Sequence, residues 1–352
     1  MGLVVSNPLT LHHEKLGAKL DSTNSPLSFT DPADEYWMIK KAAGIADVSN
    51  NGRLIFTGKD RVAFLNGLLT NEIAKLREGE GQHTALLTPK ARVLADLYLY
   101  QQPSTILMDT GDSSSLKVKE SLDRFVITED VQIKDVSSEI VQLTVQGPRS
   151  SQIIKEALGV DVQDLKPLHH KPLGPSTIIR RDRTGEGGYD IFLPSVEAEA
   201  VWQGLLLKAP DLGLGPVGAT ALEILRVEAG YPKYGVDVDE NTIVLEAGFK
   251  DAISFTKGCY MGQEVVARAT HIGRVNKQLI ALEIAATHPP AARANLKIGD
   301  SEAGFITSAA FSPGTRKVAG LGYANRDFAK EGTELTVEDG DKLLSAKVTR
   351  VL

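Results

Sequence analysis

Residues 93–100 alternate in type. Val93, Ala95, Leu97 and Leu99 fall on one side of an extended strand, and Leu94, Asp96, Tyr98 and Tyr100 on the other. The second side mixes a carboxylate with two phenols, which suits a cavity wall better than a dry core. Residues 83–100 predict a strand pair turned at Pro89-Lys90. Upstream, Asp31-Pro32 predicts a helix start, because Asp31 can cap and Pro32 has no N–H to orphan. That helix is expected to stop at Gly44, as a left-handed C′ residue. Residues 53–56 predict a short strand. Asp60 predicts the cap of a second helix that turns Phe64, Leu65 and Leu68 inward. A helix near 113–125 and a strand near 126–135 close this series.

A second series follows. Strands are predicted near 139–146, 176–181 and 188–193, and helices near 149–158, 195–208 and 218–229. Strands mixed with helices and joined by hairpin-type links predict α+β rather than a doubly wound parallel sheet. After Gly273 the pattern changes to short strand-like runs separated by Ser312-Pro313-Gly314, Glu331-Gly332 and Asp339-Gly340. Val337 and Leu343 flank the Asp-Gly pair as in a hairpin, and this stretch reads as a small all-β barrel. The expected domains are a poorly ordered segment at 1–30, rich in Ser, Thr, Asn and Pro; an α+β region at 31–273, made of two interleaved units near 31–137 and 138–273; and a C-terminal barrel at 274–352.

Composition narrows the classes. The formal net charge is -6 and no run of Lys and Arg stands against it, so bulk nucleic-acid binding is not expected. No apolar stretch approaches the roughly 20 residues that span a bilayer, so no membrane partner is expected. A chain of 352 residues can bury a large core without disulfides or metal. Its one cysteine, Cys259, excludes an internal disulfide and a multi-cysteine metal site, so no metal is expected in the monomer. The usage fits a soluble protein of a reducing compartment such as a cytosol, stroma or matrix.

Cys259 sits in the segment Lys257-Gly258-Cys259-Tyr260-Met261-Gly262-Gln263-Glu264. The two glycines allow unusual backbone angles or a close approach. Lys257 and a helix starting near Gly262 would both favour the thiolate if the sulfur lies near them. Glu264 and Arg268 have i,i+4 spacing on that helix. A lone cysteine is otherwise an ordinary small core residue. The whole segment resembles the Lys-Gly-Cys-Tyr/Phe-x-Gly-Gln-Glu signature of the YgfZ/Iba-type proteins, a family within the glycine-cleavage T-protein superfamily. That resemblance implies a folate-dependent role in making or repairing iron–sulfur proteins, with the cysteine as functional hallmark.

Three further stretches are similar to T-proteins. Leu225-Arg226-Val227-Glu228-Ala229-Gly230, then Pro232-Lys233-Tyr234-Gly235 and Leu245-Glu246-Ala247-Gly248, match a long T-protein pattern whose arginine contacts folate, here Arg226. Arg183-Thr184-Gly185-Glu186-Gly187-Gly188-Tyr189-Asp190 resembles the motif whose glutamate binds the pterin, here Glu186; Gly187 stands where T-proteins usually have Asp. Val93-Leu94-Ala95-Asp96-Leu97 resembles the strand that carries a catalytic aspartate beside the reactive folate nitrogen, with Asp96 retained and Ala95 replacing the first of a pair. Tyr98 and Tyr189 complete the expected folate contacts.

The resemblance covers roughly 35–345. It implies two ferredoxin-like α+β units and a terminal β-barrel around a central folate channel, binding tetrahydrofolate or a one-carbon derivative. Three functions follow from it: a folate-dependent factor in iron–sulfur cluster assembly or repair, partnered by assembly or client proteins; a one-carbon (aminomethyl or methyl) transferase or demethylase; and a non-catalytic folate sensor or docking protein. It also implies that Cys259 lies near one mouth of the pocket lined by Asp96, Glu186 and Arg226.

Overall fold

The computed structural model describes residues 7–271 and 275–352. Of the segment 1–30, residues 1–6 lie outside the described residues, and residues 7–30 differ from their expectation. Helix α1 (Thr10–Lys15), strands β1 (Lys19–Leu20) and β2 (Pro26–Ser28) form there. Leu9 and His13 are fully buried. His13 Nε2 lies 3.0 Å from Asp47 Oδ2, and its ring stands edge-on to Trp202 at 4.8 Å. A polar average hides these anchors, which is why composition pointed to disorder. Helix α2 (Pro32–Lys41) starts as predicted, with the Asp31 carboxylate accepting from the Ala33 N–H at 2.8 Å. It ends before Gly44, which lies inside β3 (Ala43–Asp47). Gly44 is there for contact rather than for a cap: a Cβ would meet the Val217 side chain at 2.6 Å.

The next elements are β4 (Arg53–Thr57), α3 (Arg61–Leu68), β5 (Gly81–Leu87), β6 (Val93–Gln101), β7 (Ile106–Asp109), α4 (Ser115–Asp123) and β8 (Gln132–Asp135). The five strands pair in the order β5-β6-β7-β4-β8. Asp60 flanks α3 as expected, but its carboxylate accepts from the Asp130 N–H at 2.9 Å. Then come β9 (Ile140–Gln146), α5 (Ser150–Leu158), β10 (His170–Leu173), β11 (Ser176–Arg180), β12 (Gly188–Pro194), α6 (Ala198–Lys208), β13 (Leu214–Pro216) and α7 (Ala219–Ala229). A second sheet runs β10-β11-β12-β9-β3-β13. Strand β3 thus leaves its sequence neighbours and pairs antiparallel with β9 and parallel with β13.

After α8 (Gln263–His271), strands β14 (Lys277–Ile284), β15 (Asn295–Ile298), β16 (Ser301–Phe311), β17 (Val318–Asn325), β18 (Glu334–Asp339) and β19 (Lys342–Val351) close a six-stranded barrel. Its interior is filled by side chains such as Ile280, Leu282, Leu296, Val318, Val337 and Val348. The β18–β19 hairpin pairs Asp339 with Lys342, so the Asp-Gly signal marks its turn. The α+β class and the C-terminal barrel are therefore as the sequence predicts.

The chain divides into two compact units. The first comprises Met1–Arg61, Leu76–Gln82 and Tyr98–Glu223; the second comprises Val62–Lys75, His83–Leu97 and Ile224–Leu352. The first is organised by a core in which α5 and α6 cover one face of the β9–β12 sheet, with Trp202 fully buried. The second holds the barrel and a separate cluster in which Val93, Phe249, Tyr260 and Val266 meet.

Candidate functional site

In the first unit, β9 and β12 turn alternate side chains to opposite faces. Val141, Leu143 and Val145 join the apolar core, as do Tyr189, Ile191 and Leu193. The other face presents Gln142, Thr144, Gln146 and Asp190, all fully buried. Such groups are costly without partners. Arg183 supplies a two-pronged contact to Asp190, Nε to Oδ1 at 3.0 Å and Nη2 to Oδ2 at 2.7 Å. Arg181 donates to Asp109, which also accepts from Gln142 Nε2 at 2.9 Å. Burial alone would raise the Asp109 carboxyl, but the guanidiniums of Arg181 and Arg183 hold it below the usual carboxylate range. Tyr98 lies against Arg181, with the guanidinium carbon 3.7 Å from the ring centroid. This is a cation–π contact that ties Tyr98 to the network.

Glu186 sits between Gly185 (φ +80°) and Gly187 (φ +79°), backbone angles that suit glycine and bend the loop tightly. Its Oε1 accepts from Lys40 Nζ of α2 at 2.5 Å, and its side chain keeps 23% exposure. Tyr189 is a correction. It belongs to the core row of β12, and its hydroxyl donates to the Val162 carbonyl at 3.0 Å. Alternation with Ile191 and Leu193 would have placed it there.

In the second unit, the alternation of β6 holds: Val93, Ala95 and Leu97 are fully buried, and Leu94 and Asp96 are partly exposed. Asp96 Oδ1 accepts from His83 Nε2 of β5, and His83 Nδ1 lies 3.1 Å from Asp251 Oδ1. His83 carries no motif, and no local sequence signal marks it. Arg226 of α7 points Nη1 to Asp237 Oδ2 (2.8 Å) and the Tyr231 carbonyl (3.0 Å), and Nη2 to Ser308 Oγ of β16 (2.8 Å). Asp237 also accepts from Ser308 Oγ at 2.7 Å and the Lys233 N–H at 2.9 Å. The guanidinium expected to hold folate therefore also ties α7 to the barrel.

The cysteine segment docks on the β5–β6 hairpin, the element that carries His83 and Asp96. Gly262 (φ +83°) lies so close that a Cβ would meet the Thr88 carbonyl oxygen at 2.7 Å. Tyr260 packs in the cluster with Ala91 and Val93, and Gln263 Oε1 accepts from the Tyr260 N–H at 3.3 Å. Lys257 differs from its expectation. Its Nζ donates to the carbonyls of Asn66, Leu69 and Asn71 at 2.5, 2.6 and 2.9 Å. Three donors meet three acceptors, so this ammonium is a structural clamp rather than a partner for the sulfur. Burial pushes it down to about 8. Cys259 is exposed, and Gly258 has open space beside it. Glu264 pairs with Arg268 at 3.0 Å on the solvent side of α8.

Comparison with known proteins gives a consistent result. Residues 10–257 match the family described as GCVT N-terminal domain, and residues 277–351 match the glycine cleavage T-protein C-terminal barrel domain. An aminomethyltransferase of Caldanaerobacter subterraneus subsp. tengcongensis is 29% identical over 330 residues, 92% of this chain and 88% of that protein. One from Bacillus cytotoxicus is 30% identical, covering 92% and 90%. The crystal structure of glycine cleavage system aminomethyltransferase T from Bartonella henselae superposes with a TM-score of 0.90 at 25% identity, covering 97% of this chain and 96% of that one.

Proposed function

The chain belongs to the glycine-cleavage T-protein family, and from that membership we propose that it is a tetrahydrofolate-dependent one-carbon transferase of the aminomethyltransferase kind. The observation that carries this reading is Asp96, retained on the mixed face of β6 with 13% of its side chain exposed. Its chemistry fits the ligand. A reduced pterin is rich in N–H donors, and Asp96 and Glu186 are carboxylates that keep some exposure.

Tetrahydrofolate, when bound, supplies the ring nitrogen that takes up or gives up the one-carbon unit. Asp96 is the group assigned to accept a proton or hydrogen bond there. Glu186, with two coplanar oxygens, is assigned to the paired N–H groups of the pterin, sharing or exchanging its Lys40 contact. Arg226 is assigned to the carboxylate end or a flat ring of the ligand, in competition with Asp237.

The test is calorimetric binding of reduced folates followed by turnover with tetrahydrofolate and amino-methyl donors. Native protein binds and turns over, and Asp96→Asn keeps binding while losing activity by about 100-fold or more. Failure of every folate form to bind the native protein overturns the reading. Binding without turnover leaves the sensor function.

A second reading is favoured by the Lys257–Glu264 segment and its exposed Cys259. In it the protein is a YgfZ/Iba-type factor, serving iron–sulfur cluster assembly or repair together with folate in a reducing compartment such as the stroma. One thiol is short of the roughly four ligands a cluster takes, so the cysteine acts with a partner's ligands or on a folate adduct. Complementation of a strain lacking the family member separates the readings: native protein rescues, Cys259→Ala does not, and equal rescue by both removes the cysteine from the function.

A further inference from the structure

His83 is 6% exposed, and both of its ring nitrogens face carboxylates. Nε2 meets Asp96 Oδ1, and Nδ1 lies 3.1 Å from Asp251 Oδ1. Phe249 stands edge-on to the ring at 5.0 Å. The two carboxylates are unequal: the Asp96 side chain is 13% exposed and that of Asp251 is 74% exposed. The loop that carries Asp251 is itself pinned. Asn71 Nδ2 donates to the Asp251 carbonyl at 2.9 Å, and Thr70 Oγ1 to the Ala252 carbonyl at 2.6 Å.

A carboxylate oxygen only accepts, and a neutral imidazole donates from one nitrogen alone. Two carboxylates on two ring nitrogens therefore suit the imidazolium, which donates from both. We propose that His83 is the positioning residue for Asp96, holding its carboxylate in one orientation through a proton on Nε2 while Asp251 fixes the ring through Nδ1. Asp96 then works as a fixed carboxylate with a compensating charge behind it, and does not spend orientation entropy when a substrate nitrogen arrives. The arrangement has the form in which a base is oriented by a second group, with the histidine here as orienter and the aspartate as the group that meets the ligand. Its use in turnover rests on the transferase reading; its geometry does not.

The experiment has a folate-free arm and a folate arm. Near neutral pH, 15N NMR of histidine-labelled native protein shows both ring nitrogens of His83 protonated, the signal being assigned by its loss in His83→Gln. In Asp251→Asn the ring reverts to a neutral pattern. A neutral His83 in the native protein, or an Asp251→Asn spectrum identical to native, overturns the proposal whatever folate does. In the folate arm, His83→Ala lowers kcat by about 100-fold, with KM for tetrahydrofolate within about twofold. His83→Gln, whose amide can donate where Nε2 did, recovers most of that loss. An unchanged kcat in His83→Ala overturns the proposal. A native protein with the imidazolium signature but no folate binding or turnover overturns the transferase reading instead and leaves the clamp on Asp96 standing.

Discussion

Arg226 and Asp237 form a nearly enclosed ion pair, Nη1 to Oδ2 at 2.8 Å, with 11% and 0% of their side chains exposed. The pair is the centre of a joint: the guanidinium spans the Tyr231 carbonyl and Ser308 of the barrel, and the carboxylate gathers Ser308 and the Lys233 N–H. Removing Arg226 leaves the fully buried Asp237 carboxylate without this cation, which costs about 3–5 kcal/mol. Arg226→Ala is expected to lower the unfolding free energy, measured by urea unfolding, by an amount in that range, and Asp237→Ala to destabilise in the same direction. The double variant should cost less than the sum of the two singles. A stability loss below about 1 kcal/mol in Arg226→Ala would show that the arginine is held for a ligand rather than for the fold.

Asp109 contributes to the acid sensitivity of the first unit. Arg181 and Arg183 hold its carboxyl below the ordinary value against the opposing effect of burial. The sign follows: above the unfolded value of about 3.9 the stabilisation is fully present, and it is lost as pH falls through the depressed folded value. Asp109→Asn should cost about 3–5 kcal/mol at neutral pH, because two guanidiniums then share Asp190 alone. Its stability should also depend less on pH in the acid range than that of the native protein. Parallel acid-unfolding curves for the two would count against this assignment.

Local pattern carried much of this architecture and little of its electrostatics. The period-2 alternation of 93–99 marks a strand because its inward row is Val93, Ala95, Leu97 and Leu99, all fully buried. Helices α5, α6 and α7 are legible for the same kind of reason, and the Asp-Gly turn marks a barrel hairpin. The short run β7 carries too few residues for any period to show. The joining of β3 to β9 is a tertiary choice that neither strand records. Asp96 is on the mixed face of β6, where the alternation predicts it, and Glu186 is in a loop flanked by two glycines. His83 was invisible because its partner Asp251 is 168 residues away. The three carbonyls that capture Lys257 are likewise remote in sequence, so spacing within its own segment pointed to the sulfur instead.

Lys257 gives an alkaline signature. Burial pushes it down to about 8, well below the roughly 10.4 of an unfolded lysine. Between those values the unfolded chain binds a proton that the folded chain has released. Stability therefore gains a component that rises with pH across that window. In Lys257→Met the component disappears, so the difference between native and variant unfolding free energies should grow in favour of the native protein from pH about 8 to about 10. The slope of that difference, rather than its level, is the measurement, because the variant also loses three carbonyl contacts. A flat difference would mean that the three carbonyls keep the lysine charged throughout.

Glu186 offers the cleanest separation of binding from folding. Its ion pair with Lys40 is 2.5 Å long, but the two side chains keep 23% and 31% exposure, so water screens it. Pairs of this kind contribute about 0–1 kcal/mol, and Glu186→Gln should change the unfolding free energy by no more than that. The amide keeps the size of the side chain but loses the charge and one of the two acceptor oxygens that suit paired pterin N–H groups. Losing one charge-assisted hydrogen bond costs about 1.5–3 kcal/mol, so the tetrahydrofolate Kd should rise by about 10- to 100-fold. Lys40→Met, which removes the competitor and leaves the carboxylate, should leave affinity unchanged or improve it. If Glu186→Gln binds tetrahydrofolate as tightly as the native protein, the glutamate loop is a structural turn braced by Lys40 and the pterin contact must be sought elsewhere.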